Sequence, residues 1–201
     1  LKKSSIVISI SFLSFIMVVV ALINTYKINK GYAEYHSAAV RNDTSHFIAS
    51  FEDNDRIFKA ILNEGTLSQE QLAQVRENVY VQVRYYEDYH GLAVHLDRYQ
   101  HDAYSIASAA FLTEAVFNRQ QGQLEIKTRM DVDDTFVKKV EMLVLFNSNC
   151  IKELHRRTQH LELNEEGSAE ISITDDFWID ILRGLNRLSY EKQSDLQMLL
   201  N

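Results

Sequence analysis

The stretch Ile6–Ile23, IVISISFLSFIMVVVALI, constrains this chain more than any other. It holds eighteen residues, no charge, and thirteen of Ile, Val, Leu or Phe. As a helix it would rise about 27 Å, close to the ~30 Å hydrocarbon core of a bilayer. Ser9, Ser11 and Ser14 interrupt it, and a hydroxyl in a helix can bond to a carbonyl one turn back. Residues 6–23 are therefore expected to be a transmembrane anchor, with residues 1–5 as an N-terminal flank and residues 24–201 as a soluble helical domain. A cleaved signal peptide ending at Val19-Val20-Ala21 is the competing reading. The apolar run passes straight through that site and is long for such a peptide.

Lys2 and Lys3 precede the stretch and Lys27 and Lys30 follow it, so the lysines are balanced. The terminal amine tips the balance towards an N-terminus inside. The expected localisation is thus a single-pass membrane protein with its soluble part on the non-cytoplasmic side, periplasmic in a bacterium.

Beyond the stretch, the absence of any proline in 201 residues points to long uninterrupted helices. All 28 acidic residues lie after Lys30, against 17 of the 21 Lys and Arg, a net charge of −11 there. Such a domain repels nucleic-acid backbones, and no long basic run offsets this. The single cysteine, Cys150, rules out an intrachain disulfide and lies in an apolar setting that suits a core residue.

Hydrophobic periodicity supports an all-α fold, a bundle of four or five helices whose first is continuous with the anchor. A stripe through Ile28, Tyr32, Tyr35, Ala39, Phe47 and Phe51 extends the anchor. Asp53-Asn54-Asp55 reads as a break or an N-cap before a short helix Arg56–Asn63, which Gly65 ends. Ser68 and Gln71 form a capping box for the next helix, although Val79, Val81, Val83 and Tyr85 also alternate as a strand would. Gly91 is expected to kink or end that helix, and Leu92 to Phe117 reads as another. Gln120–Asp133 reads as a connector. Asp133 or Asp134 caps a helix reaching Leu161, Ile171–Ile173 is extended, and Thr174 or Asp175 caps a last helix running to Leu199.

Few residues suggest chemistry. His90, His95 and His101 are spaced by five and six, and His155 and His160 by five, whereas paired ligands on a helix want three or four. The pairs Asp133-Asp134 and Asp175-Asp176 are explained by capping. The run Tyr80, Tyr85, Tyr86, Tyr89, Tyr99 and Tyr104 would suit the lining of a ligand pocket, but is read first as packing at a helix interface, with apolar rings buried and hydroxyls wet. No phosphate loop or nucleophile motif occurs, so no cofactor and no metal is expected.

One motif is sharper. Arg41-Asn42-Asp43-Thr44-Ser45-His46 has the form R-N-x-x-x-H and resembles the signature of HEPN-type ribonucleases, which are also all-α. Arg84 to His90 is a looser second match. The resemblance covers six residues and implies His46 as acid–base group and Arg41 as the holder of the scissile phosphate. The favoured expectation is a non-enzymatic, membrane-anchored interaction or sensory module, with a protein partner or a homo-oligomer formed through helix packing. The ribonuclease is the alternative.

Overall fold

A computed structural model describes residues 2–99, 105–124, 127–159 and 175–200, with side chains from Ser14 onward except those of Gln123 and Leu200. The chain is predominantly helical. The described elements are α1 (Lys2–Glu64), β1 (Thr66–Ser68), α2 (Gln69–His95), α3 (Ile106–Asn118), α4 (Gln121–Leu124), β2 (Arg129–Asp131), α5 (Asp134–Thr158), α6 (Phe177–Glu191) and α7 (Gln193–Gln197). A closing 3-10 turn spans Met198–Leu200.

The frame is α1, a single helix of 63 residues and hence about 95 Å long. The part of it from Ser14 to Ala38 is mostly exposed. Among the described side chains, the buried residues of α1 begin at Val40 and continue through Phe47, Phe51, Phe58 and Ile61, whereas Tyr26, Ile28, Tyr32 and Tyr35 are exposed. From Val40 on, α1 packs against α2 and α5; α3 lies on α2, and α6 closes the bundle against α5. Trp178 of α6 is fully buried at the centre. Among the described residues no helix is long and apolar enough to cross a membrane. The start of the expected anchor, residues 6–13, lies outside the described side chains.

The break expected at Asp53–Asp55 does not occur, because each residue of the triplet finds a partner within a continuous helix. Asp53 pairs with Arg56 and Asp55 accepts a 2.6 Å bond from Lys59 Nζ. Asn54 turns inward and accepts a 2.9 Å bond from Asn78 Nδ2 on α2. Thus Arg56–Asn63 is part of α1. The helix stops at Gly65, whose φ of 65° suits glycine, and Gly65 N–H donates to Ile61 O at 2.9 Å.

Ser68 then starts α2 through the expected capping box: Gln71 N–H donates to Ser68 Oγ at 3.1 Å and Ser68 N–H to Gln71 Oε1 at 2.8 Å. The alternating valines lie on a helix, as expected. Gly91 does not end α2, which reaches His95. The helix expected over Leu92–Phe117 is instead divided. Asp97 adopts φ 55°, a conformation that Asp tolerates better than most residues. α3 begins after Ser105, whose hydroxyl accepts from Ser108 N–H at 3.4 Å.

The stretch expected to be a connector holds α4 and β2. β2 pairs antiparallel with β1, with Leu67 opposite Met130. Asp133 caps α5 with a 2.7 Å bond from Phe136 N–H. Leu161 and Ile171–Ile173 lie outside the described residues. So does Thr174, and neither it nor Asp175 occupies the cap position of α6, which is Asp176. The Asp176 carboxylate makes no capping bond and accepts instead from Arg98 Nη2 at 2.6 Å. The expected last helix breaks at Lys192 into α6 and α7.

Candidate functional site

Residues of α1 and α2 line an open cleft of about 230 Å³. α1 contributes Asp43 and His46, one turn apart. α2 contributes Glu77, Tyr80, Val81, Arg84 and Asp88, a stripe at helical spacing, with Tyr85 at its floor. Three carboxylates, one guanidinium and one imidazole therefore face one open hollow. Tyr80 is exposed beside them.

The floor is ordered by aromatic packing. Phe47 stacks on Tyr85 with centroids 4.1 Å apart, and Tyr85 meets Tyr89 at 4.6 Å. The Tyr85 hydroxyl is 2.9 Å from the Thr44 hydroxyl, and Tyr89 donates to Asp43 Oδ2 at 2.7 Å. Burial pushes both phenols well above their ordinary range, and the neighbouring Asp43 adds to this. Both stay neutral and act as hydrogen-bonding anchors. The Arg84 guanidinium is raised above its ordinary value by Tyr80 and by Asp88, whose Oδ2 is 3.5 Å from Arg84 Nε. The cleft can thus hydrogen-bond to either sign of charge. None of its lining residues is a Ser, Thr or Cys nucleophile.

The two residues of the ribonuclease-like motif are not brought together there. Five positions along a helix turn a side chain by about 140°. His46 lines the cleft and Arg41, also exposed, does not. In the looser match, Arg84 lines the cleft while His90 packs between rings, stacked 4.8 Å from Tyr86 and edge-on to Tyr99 at 5.3 Å.

Among the described residues no three His, Cys, Asp or Glu side chains group as metal ligands would. His101 and His160 lie outside them. His155 Nε2 sits 2.9 Å from Glu52 Oε1, joining α5 to α1. Tyr85, Tyr86 and Tyr89 are buried between helices, and Tyr104 lies outside the described residues. Cys150 is fully buried, and burial pushes its thiol well above the ordinary range.

Of the tyrosines that sequence offered as pocket lining, Tyr80 and Tyr85 line the cleft, whereas Asp43, Glu77, Arg84 and Asp88 were missed as a group. The signal that could have found them is the polar stripe on α2, lying beside its buried Val75, Val79 and Tyr86 face. No known protein family, characterised protein or solved structure matches this chain.

Proposed function

We propose that this chain is a membrane-anchored helical module that senses or binds through its bundle and catalyses nothing. Ile6–Ile23 spans the bilayer once, residues 24–201 stand on the non-cytoplasmic side, and the cleft between α1 and α2 receives the ligand or partner. The observation that carries this reading is the continuity of α1. One helix leads from Lys2 to Glu64, from the apolar stretch through an exposed stalk into the bundle, where it forms one wall of the cleft. The charge-free composition of Ile6–Ile23 supplies the rest.

Carbonate washing of membranes that carry the full-length protein is the test. The protein should remain in the pellet, and Ile16→Lys combined with Val19→Lys should release it, since each charge at the bilayer centre costs about 2.5–3.5 kcal/mol. Release of the unsubstituted protein would remove the anchor.

The ribonuclease alternative predicts that the full-length protein cleaves a labelled single-stranded RNA and that Arg41→Ala and His46→Ala both abolish cleavage. Under the binding reading neither the protein nor its variants cut RNA. Asp43, Glu77 and Asp88 beside His46 favour this outcome, because they repel a phosphate backbone.

A further inference from the structure

The part of α1 from Val18 to Ala39 carries an ordered face that nothing in the described chain covers. From Val18, positions alternate by three and four residues through Ala21, Thr25, Ile28, Tyr32 and Tyr35 to Ala39. All are uncharged. Ile28, Tyr32 and Tyr35 are 50%, 63% and 72% exposed. Spacing of this kind averages 3.5 residues, the repeat of a left-handed two-helix seam rather than of a helix lying on a globular core.

The charges of this segment avoid that face. Lys27, Lys30 and Glu34 lie on the far side, where Lys30 Nζ and Glu34 Oε1 stand 3.8 Å apart. The positions flanking the seam are Asn29, Gly31, His36 and Ala38. In a parallel pair no lysine would meet a lysine there, and Gly31 and Ala38 would let the backbones come close.

The bundle of the same chain cannot serve as the partner. The side that α1 buries, through Val40, Thr44, Phe47 and Phe51, is turned about 120° around the helix from Ile28, Tyr32 and Tyr35. A seam of three to four heptads buries on the order of 1,000 Å² or more in total, near the lower limit of a specific interface. Anchoring in one plane would add to so small an interface by raising the local concentration.

We propose that two copies of this chain pair in parallel along α1, through the seam from Val18 to Ala39. The inference rests on the anchored reading for its parallel sense, because anchors inserted the same way point both stalks in one direction. The pairing brings the two clefts to the base of one shared stalk, since the next positions of the repeat are Asn42 and His46, and His46 lines the cleft.

The test is disulfide trapping in the full-length protein in its membrane. Single cysteines are placed on the seam, Ile28→Cys and Tyr35→Cys, or on the far side, Lys27→Cys and Lys30→Cys. The native Cys150 is fully buried and stays in place, and the unsubstituted chain is the background. All four positions are exposed, so none removes a core contact. With diamide as oxidant, both seam variants should give a species of twice the chain mass and the far-side variants should not. A disulfide requires Cα atoms within roughly 7 Å, which only facing positions meet.

Equal trapping on both faces, or none on the seam, in protein that remains in the carbonate-washed pellet overturns the pairing and leaves the anchor standing. Seam-specific trapping in protein found in the supernatant supports the pairing and removes the anchor. Supernatant protein without seam trapping removes both.

Discussion

Glu153 on α5 gathers three arginines. Its Oε1 lies 2.8 Å from Arg156 Nη2, 2.7 Å from Arg157 Nη2 and 3.6 Å from Arg187 Nη2 of α6. The hydrogen bond from Arg156, followed by that from Arg157, lowers its carboxyl from the ordinary 4.5 to about 2 against the opposing effect of burial. A carboxylate depressed in the folded state contributes stability that is fully present above about pH 4.5 and is lost as pH falls towards about 2. Two of its partners are largely exposed, so the contribution is on the order of 1 kcal/mol after solvent screening. Urea unfolding of the wild type should therefore lose about that much more stability than Glu153→Gln across this window; parallel loss in the two proteins would show that the arginines do not hold the charge.

Gly184 on α6 belongs to the same cluster. A Cβ there would lie 2.4 Å from Arg157 Nε and 2.5 Å from Glu153 Oε1, two groups already bonded to each other at 2.8 Å. Replacing glycine by alanine in a helix otherwise gains about 1 kcal/mol. Gly184→Ala should thus fail to stabilise the wild type but should stabilise Arg157→Ala by about that amount. Equal gains in both backgrounds, read by urea midpoint, would mean that the pair yields freely. The need for glycine at this position could not be read from the sequence, where Gly184 sits in a helical stripe and its cost is set by side chains on another helix.

At the scale of elements, α1 and α2 are joined by a wall of rings and a polar tie. Phe47 is fully buried, stacked on Tyr85 and edge-on to Phe51 at 5.1 Å. Phe47→Ala should cost about 3–5 kcal/mol of unfolding free energy. Asn78 donates to Asn54 and accepts from Gln74 Nε2 at 3.2 Å, all at the helix interface. Asn78→Ala leaves the Asn54 carbonyl buried without that donor and should cost about 1–3 kcal/mol, whereas replacing both asparagines by leucine should recover part of it. Stability of the double variant no better than that of Asn78→Ala would show that shape, and not the unsatisfied amide, sets the cost.

These elements also show where sequence was informative. The Ser68 capping box and the cap of α5 are contained in four consecutive residues each, so the first is legible and the second is legible to within one residue, Asp133 or Asp134. Asp53–Asp55 was misread because a cluster of Asp and Asn has the same composition whether it ends a helix or is satisfied within one by Arg56, Lys59 and a second asparagine. The β1–β2 pair was invisible. Its strands have three residues each, and Thr66 pairs with Asp131 across the whole of α2, α3 and α4.

At the scale of the molecule, helicity and the continuity of α1 with the apolar stretch were legible, because period and missing proline report on every residue at once. The cleft was not. It exists only where the polar stripe of α2 comes to face Asp43 and His46, and neither stripe is distinctive alone.

An unbroken α1 also has a mechanical consequence: it behaves as a shaft, and a shaft has a phase. One extra residue turns everything beyond it by about 100° while lengthening it by only about 1.5 Å. Seven extra residues lengthen it by about 10 Å yet return it to within about 20° of its starting angle. Inserting one alanine after Gly31 should leave the bundle folded, since the first buried residue of α1 beyond that point is Val40. It should nevertheless abolish the trapping of Tyr35→Cys while sparing Ile28→Cys, and a seven-residue insertion at the same place should restore it. If length alone mattered, the longer insertion would do the greater harm. If angle matters, the seam alone sets where each bundle stands around the stalk, because Asp43 stays bonded to Tyr89 and Phe47 stays stacked on Tyr85 whatever is inserted before Val40.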